Sequence, residues 1–346
     1  MLTTGKSSYK LKTSRDHAKT VLIAHEDLGS FNAILILSGD GLVFEAINGV
    51  LARGDGFRIL PSLPVSIIPS GSGNGLLCSV LHHSGQSLKP KMIHSRAVEV
   101  ATSSRARSQN VAIYHVETDR AHYACFLSVG WGIMADIDIE SEKWRKTLGS
   151  NRFALGGLIR SFKLRSYKGK LSYKQFTCKE RKPSEPYRVY DQVCTQRVIE
   201  REEKRKESWS DYEIEKIPPL NEPLEDDGSW TVIEDEFISF YAVTLSHIAY
   251  DGPYAPTAKL QDNRIHLTYI LKKDIKSRME IVKFLTAIED GKHLDLPFVK
   301  NVEVSAFRLE PKTGGSYVTV DGEVLDTTNI QVSSTTMHMS VFSADN

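Results

Sequence analysis

The chain is short of the features that would place it at once. Its four cysteines in 346 residues, Cys78, Cys125, Cys178 and Cys194, form no Cys-x-x-Cys pair and no regular framework. That excludes a disulfide scaffold and points to a reducing, cytoplasmic setting. The first residues lack the basic-then-apolar profile of a secretory leader. The longest mostly apolar stretch, residues 123–135, falls well short of the ~20 residues that a bilayer crossing demands. Net charge is only +1, so no global field favours nucleic acid and any attraction to phosphates has to be local. The histidines, His82 and His83 included, show no His-Glu-x-x-His spacing, and no metal site made of protein ligands alone is legible. Three common motifs also fail. The third glycine of a dinucleotide fingerprint, counted from Gly71 and Gly73, would fall on Leu76. Gly5-Lys6-Ser7 has only the tail of a P-loop and follows no strand. The glycine of a calcium loop built on Asp136 would fall on Ser141.

What is present is a repeated unit. Ala33 to Leu37 is continuously apolar and runs into Ser38-Gly39-Asp40-Gly41, after which Leu42, Val43, Ala46, Ile47, Val50 and Leu51 recur at helical spacing. Val65 to Ile68 runs into Ser70-Gly71-Ser72-Gly73-Asn74-Gly75, followed by Leu76, Leu77, Val80 and Leu81. Strand, glycine turn and helix is how an open α/β sheet builds an anion site, because bare turns expose backbone N–H groups and the helix start adds a positive dipole end. Two such turns predict a phosphate cleft. Asp40, between two glycines and ahead of Glu45, is its unusual member, since a carboxylate beside phosphates has to bind Mg²⁺ or take a proton from an attacking hydroxyl. The plainer alternative is an aspartate that suits a tight turn or caps a helix.

Alternating strands and helices from about Leu22, with a third strand expected over Ala97 to Val100, predict a parallel α/β domain over residues 1–104. Residues 105–346 change texture to strand-like runs: 110–116, 123–129, 170–176, 237–245, 264–271, 302–309, 317–320 and 336–342. These predict a β-sandwich-like second domain, interrupted by helical patterns over 144–164 and 275–288, with the end of the chain returning to the first domain. Residues 178–229, rich in Glu, Lys, Arg and Pro, read as a solvated, disordered insertion. So few apolar groups do not offset roughly 1–2 kcal/mol of backbone entropy per ordered residue.

Asp136, Asp138 and Glu140 alternate just after Trp131-Gly132. Extended, they would share a face able to meet a cationic amine or a hydroxyl donor. At a helix start they would only balance the dipole, at ~0.3–1 kcal/mol each. Residues 143–174 contain no acid at all. Their lysines and arginines fit a phosphate clamp, an anionic membrane contact or a solvated helix face. Val318 to Glu323 reads as a hairpin turning at Asp321-Gly322.

Taken in this order, the Ser38-to-Leu42 turn with Glu45 and Asn48-Gly49, Pro69 to Asn74, Trp131-Gly132, the block from Ala135 to Lys143, Arg152-Phe153, Ala306 to Lys312 and Val320 to Glu323 resemble the sphingosine kinase family of the diacylglycerol-kinase-like superfamily. The resemblance covers nearly the whole chain after Lys12. It implies ATP-dependent phosphorylation, with Mg²⁺, of the primary hydroxyl of a sphingoid base. It implies that Asp40 is the general base, and that Ser38, Gly39 and Gly41 lie where nucleotide and lipid head group meet. Asp138 would hold the head group. Glu45, the loop of Gly71, Ser72, Gly73 and Asn74, the arginines Arg145 and Arg152, and the hairpin residues Asp321, Gly322 and Glu323 would serve the nucleotide. Thr13, Ser14, Arg15 and Asp16 resemble, one residue short, the family's adenosine-contacting segment.

The family begins with a further strand and an Asn-Pro-x-x-Gly loop around the phosphates, and nothing upstream of Thr13 resembles it. The expectation is an incomplete or alternative start of a longer protein; the alternative is a chain with a crippled nucleotide site and an unpaired sheet edge, and weak or absent kinase activity is expected of the chain as given. Two alternatives remain beside the main reading: a related kinase acting on diacylglycerol or ceramide, and a catalytically impaired lipid-binding relative. A substrate dissolved in bilayer implies transient peripheral docking on an anionic membrane by an otherwise cytoplasmic protein. No nucleic-acid partner is expected, and oligomeric state is not legible.

Overall fold

A computed structural model describes residues 14, 16–71, 73–103, 106–177 and 207–343. Thr13, Arg15, Ser72, the first half of the charged insertion (178–206) and the last three residues lie outside the described residues. In chain order the elements are α1 (His17–Ala24), β1 (Ile34–Ser38), α2 (Asp40–Leu51), α3 (Gly56–Ser62), β2 (Val65–Pro69), α4 (Gly75–His83), α5 (Pro90–Thr102), β3 (Arg107–Thr118), β4 (His122–Cys125) and β5 (Ser128–Gly132). They continue with α6 (Ile133–Ser141), α7 (Arg145–Leu148), α8 (Arg152–Phe162), β6 (Tyr167–Gln175), β7 (Trp230–Val243), β8 (Ile265–Leu271), α9 (Arg278–Ala287), β9 (Lys300–Pro311), β10 (Val318–Val320), β11 (Glu323–Leu325) and β12 (Ile330–Ser343).

An α/β nucleotide-domain unit and a β-rich unit share one 12-stranded sheet. The two glycine-turn strands pair in parallel, from Ile34↔Val65 to Ser38↔Pro69, so both turns open at the same sheet edge. The next strand beside β2 comes from the far end of the chain. β12 meets β2 in parallel at Val341↔Val65 and lies antiparallel to β3 and β9. In the β-rich part, β6, β7, β8 and β9 pair in a closed circuit (β6–β7, β7–β8, β8–β9, β9–β6). That circuit curls the sheet around a core containing Leu171, Phe237, Phe240, Leu267 and Phe307. Among the described residues β1 is the outermost strand on its side, and its Leu35 and Leu37 are exposed.

Three expectations are corrected. Residues 97–100 are the last turns of α5 rather than a strand. Pro90 sits at the helix start, where its missing N–H costs nothing. Ile93, Ala97 and Val100 are the buried positions of that helix, so the valines follow a helical period that the local Ala-Val-Glu-Val pattern hid. Residues 144–164 form not one helix but α7 and α8, broken at Gly149, whose φ is +54°. The second half of the charged insertion, 207–229, is a docked strap. Trp209 and Tyr212 pack on Phe57 of α3, and buried Arg308 donates to the carbonyls of Pro218, Pro219 and Glu222. Two aromatic anchors and a set of backbone acceptors order a stretch whose average composition argued against order.

Polar side chains tie the two units together. Asn48 of α2 donates to the Ala124 carbonyl and accepts the Ala124 N–H (3.1 and 2.8 Å), as a strand neighbour would. Ser79 of α4 makes the same two-way contact with the backbone of His247. These buried bonds fix the crevice between the units, because an unpaired amide there would cost roughly 1–3 kcal/mol.

Candidate active site

Asp40 is the first residue of α2, directly after Gly39. The two glycine turns touch backbone to backbone, and a Cβ on Gly71 would lie 2.7 Å from Gly39 Cα. Any side chain there would push the turns apart. The closure brings the Asp40 carboxylate onto the start of α4, where it accepts the N–H groups of Gly75 (2.7 Å) and Leu76 (3.3 Å). Asp40 therefore caps the neighbouring helix while standing at the wall of the crevice. Burial raises its pKa from the ordinary carboxylate range to about 6, against the lowering effect of these amides. A base of that strength is mostly ionised at neutral pH yet more proton-hungry than a surface aspartate.

The hairpin of β10 and β11 closes over this point. Asp321 and Gly322 both have positive φ (+50° and +83°), as a two-residue turn matched to strand twist requires. The Asp321 side chain turns inward. It accepts the N–H groups of Phe126, Leu127 and Ser128 at 2.9–3.1 Å and the thiol of Cys125 at 3.2 Å. An acid that the sequence assigned to a turn is thus the clamp between hairpin and β5. Burial nevertheless raises its pKa to about 7, against those donors. Beside it, Glu323 fills the space over Gly41, where a Cβ would sit 2.5 Å from Glu323 Oε1.

The three acids after Trp131-Gly132 are not extended. They lie in α6, and a helix sends positions two apart in different directions. Asp136 is buried and accepts the hydroxyls of Tyr167 (2.5 Å) and Ser316 (2.8 Å). Glu140 pairs with Arg160 and Arg165. Asp138 points at the crevice, close to the Gly322 turn, with its side chain one third exposed. Its pKa is raised to about 6, by burial first; Arg152 opposes this, and the charges of Glu142 and Glu323 add to it.

Nor is the acid-free stretch a uniform solvated face. Arg152 is buried, bonded to Asp138 (3.0 Å), Glu142 (2.7 Å) and the Ser141 hydroxyl (2.8 Å), with its guanidinium over the Phe153 ring. Arg160 is buried as well. Arg145 stays half exposed at the crevice mouth, 3.3 Å from Glu142.

One cavity of about 870 Å³ unites these groups. Ser38, Gly39, Asp40, Gly41, Gly71, Gly73, Asp138, Arg145, Arg152, Asp321, Gly322 and Glu323 all line it. Glu45, buried within α2, and Asn74, on the second turn and donating to the Gly71 carbonyl, lie off its wall. Ser14 and Asp16 stand exposed before α1, also off the wall. The far end is apolar, formed by Met134 and Ile137 of α6, Phe153 and Leu158 of α8, and Val282, Leu285 and Ile288 on and after α9. Sequence reading missed these, along with Ser128, Tyr241 and Asp251, because strand and helix patterns do not say which core positions border a void. Asp251-Gly252, a turn dipeptide, was the one available signal.

The diacylglycerol kinase catalytic domain family matches residues 4–112. Among solved structures, a diacylglycerol kinase from Bacillus anthracis str. Sterne has a similar fold, with a TM-score of 0.54, 16% identity, and 96% of this chain and 84% of that one covered. Sphingosine kinase 1 of Mus musculus is 31% identical over 91% of this chain and 76% of its own length. Sphingosine kinase 1 of Caenorhabditis elegans is 54% identical over 96% of this chain and 73% of its own length. With identity at that level over a match that takes in nearly the whole chain, the chain belongs to the sphingosine kinase family.

Proposed function

We propose that this lipid kinase transfers the terminal phosphoryl group of ATP to the primary hydroxyl of sphingosine or a related sphingoid base. The observation that carries the reading is that one cavity holds the glycine turns and Asp40, then Asp138, and an apolar pocket beyond it. A long-chain amino alcohol has the same order of parts: hydroxyl, ammonium, hydrocarbon. Asp40 takes the hydroxyl proton as the oxygen attacks the terminal phosphorus and ADP leaves. Asp138, with the neighbouring charges of Glu142 and Glu323, holds the ammonium. Gly39, Gly41 and Gly73 leave backbone exposed for the phosphates, and Arg145 at the mouth, with Arg152 behind it, offsets their charge.

Among the described residues no three carboxylate, histidine or cysteine side chains converge as a metal cage. A Mg²⁺ for this reaction would arrive chelated by the triphosphate, keep water ligands and take one or two carboxylates from the protein; Glu323, which fills the space over Gly41, is a carboxylate placed to serve it. Bound there it would neutralise charge on the transferring phosphoryl group.

The amine reading is tested with Asp138→Asn, which keeps an acceptor for Arg152 but loses the charge. Its KM for sphingosine should rise roughly 10- to 100-fold, the size of a charge-assisted hydrogen bond worth ~1.5–3 kcal/mol. An analogue with the amine replaced by a hydroxyl should be unaffected, and an equal loss on both lipids would sink the assignment.

No helix among the described residues is long and apolar enough to cross a membrane. Peripheral docking is supported by exposed apolar side chains beside the pocket: Leu155, Leu158 and Phe162 on α8 and Met279 on α9, the last two 66% and 69% exposed. Lys143, Arg145 and Lys146 precede them. Phe162→Glu should lower partitioning onto vesicles containing anionic lipid by about tenfold, since burying a Phe is worth ~1.5–3 kcal/mol. Turnover of substrate in detergent micelles should hold; unchanged sedimentation with vesicles would remove α8 from the docking surface.

A further inference from the structure

One phenol lines the cavity, Tyr241 of β7: it packs in the apolar group that includes Met134, Ile137, Phe153 and Leu285, and it feels the charges of the acids at the other end. Its ring is fixed. Tyr241 pairs across the ladder with Gly130 of β5, and a Cβ on Gly130 would lie 3.1 Å from the ring and 2.7 Å from Thr319 Oγ1. The glycine is the slot that admits the tyrosine. On its other side the ring packs edge-on against Tyr254 (centroids 4.9 Å, 66°), whose hydroxyl is tied to Thr268 at 2.8 Å.

The Tyr241 hydroxyl shares the Ser128 side chain and sits in the field of Asp138, Asp321 and Asp40. Burial and those charges push its ionisation well above the usual value, so it stays a proton donor at any working pH. Other hydroxyls further along the wall are spent on their own helices, Ser161 on the Gly157 carbonyl (2.8 Å) and Thr286 on the Val282 carbonyl (3.1 Å).

A sphingoid base carries three polar groups on successive carbons: the primary hydroxyl, the ammonium and a secondary hydroxyl, after which the chain is hydrocarbon. With the first at Asp40 and the second at Asp138, the third falls at the boundary that Tyr241 occupies. We infer that the Tyr241 hydroxyl, backed by Ser128, recognises the secondary hydroxyl of the lipid and so selects for substrates that carry one. The inference rests on the sphingoid-base reading above. A site built to hydrogen-bond a substrate hydroxyl rejects the analogue lacking it, because its own polar group is left unpaired.

The test is a cycle of two proteins and two lipids, sphingosine and its 3-deoxy analogue, with Kd measured in mixed micelles and KM and kcat in turnover. In the unsubstituted chain the analogue should bind about tenfold more weakly, the size of one buried hydrogen bond. Tyr241→Phe should weaken sphingosine to the level of the analogue, leave the analogue unchanged, and move KM rather than kcat. If Tyr241→Phe weakens both lipids equally, or leaves the preference intact, the inference is overturned. If Ser128→Ala abolishes the preference while Tyr241→Phe does not, the serine is the reader and the assignment to Tyr241 falls. Failure of the unsubstituted chain to bind sphingosine, or binding indifferent to the amine, would instead overturn the substrate reading and this inference with it.

Discussion

Asp40→Asn is expected to lower phosphate transfer by ~10²–10⁴, the usual contribution of a positioned general base, while sphingosine binding stays within about twofold. The substitution is nearly isosteric, and the amide can still accept the Gly75 N–H through its oxygen. What is lost is its basicity, together with the longer contact from the Leu76 N–H (3.3 Å). An accompanying pH effect follows from the same geometry. Since burial raises Asp40 to about 6, the acid is protonated and unable to take the hydroxyl proton below that pH. Transfer should therefore climb as pH rises through about 6 and level off near neutrality. Asp138, raised into the same range, sharpens the climb, because ammonium binding also needs the ionised form. Single-turnover rates against pH measure both, and a rate in Asp40→Asn equal to that of the unsubstituted chain would remove Asp40 as the base.

Asp321→Ala is expected to cost about 3–5 kcal/mol of stability, because it strands three buried N–H groups that each carry roughly 1–3 kcal/mol of unmet desolvation. Urea denaturation reads this directly. Asp321→Asn should fall between, since its oxygen can accept some of the donors but its NH₂ faces the rest. The hairpin that carries Gly322 over Asp138 would also loosen, so the alanine variant should bind sphingosine more weakly. A denaturation midpoint unmoved by Asp321→Ala would mean that the inward clamp is not what holds the hairpin.

These two aspartates mark what the sequence could and could not tell. The place of Asp40, on a glycine turn at the start of a helix, was legible because its surroundings are local: an apolar strand, two glycines and a helical period within a few residues. Asp321 was legible as a turn but not as a clamp, because its acceptor role depends on amides of residues 126–128 almost the whole second unit away. The same distinction separates α2, read correctly from Val43, Ala46, Ile47 and Val50, from the last turns of α5, where a short Ala-Val-Glu-Val run looked like a strand until Ile93 and Pro90 were counted with it. The docked half of the charged insertion escaped because its order comes from Trp209 and Tyr212 meeting Phe57, from a distant part of the chain. Tyr241 had no local signal at all, since a tyrosine in a strand is ordinary until Gly130 opposite is seen to make room for it.

The central position of β12 reaches beyond catalysis. It bonds to β2, β3 and β9 at once, yet it is the last of these four to leave the ribosome. Until it emerges, the glycine-turn strands have no partner on their inner side and β3 has one long edge bare. Nascent chains of this protein should therefore need shielding throughout synthesis, and a version ending before residue 330 should be captured by chaperones or degraded rather than persist as two half-working units.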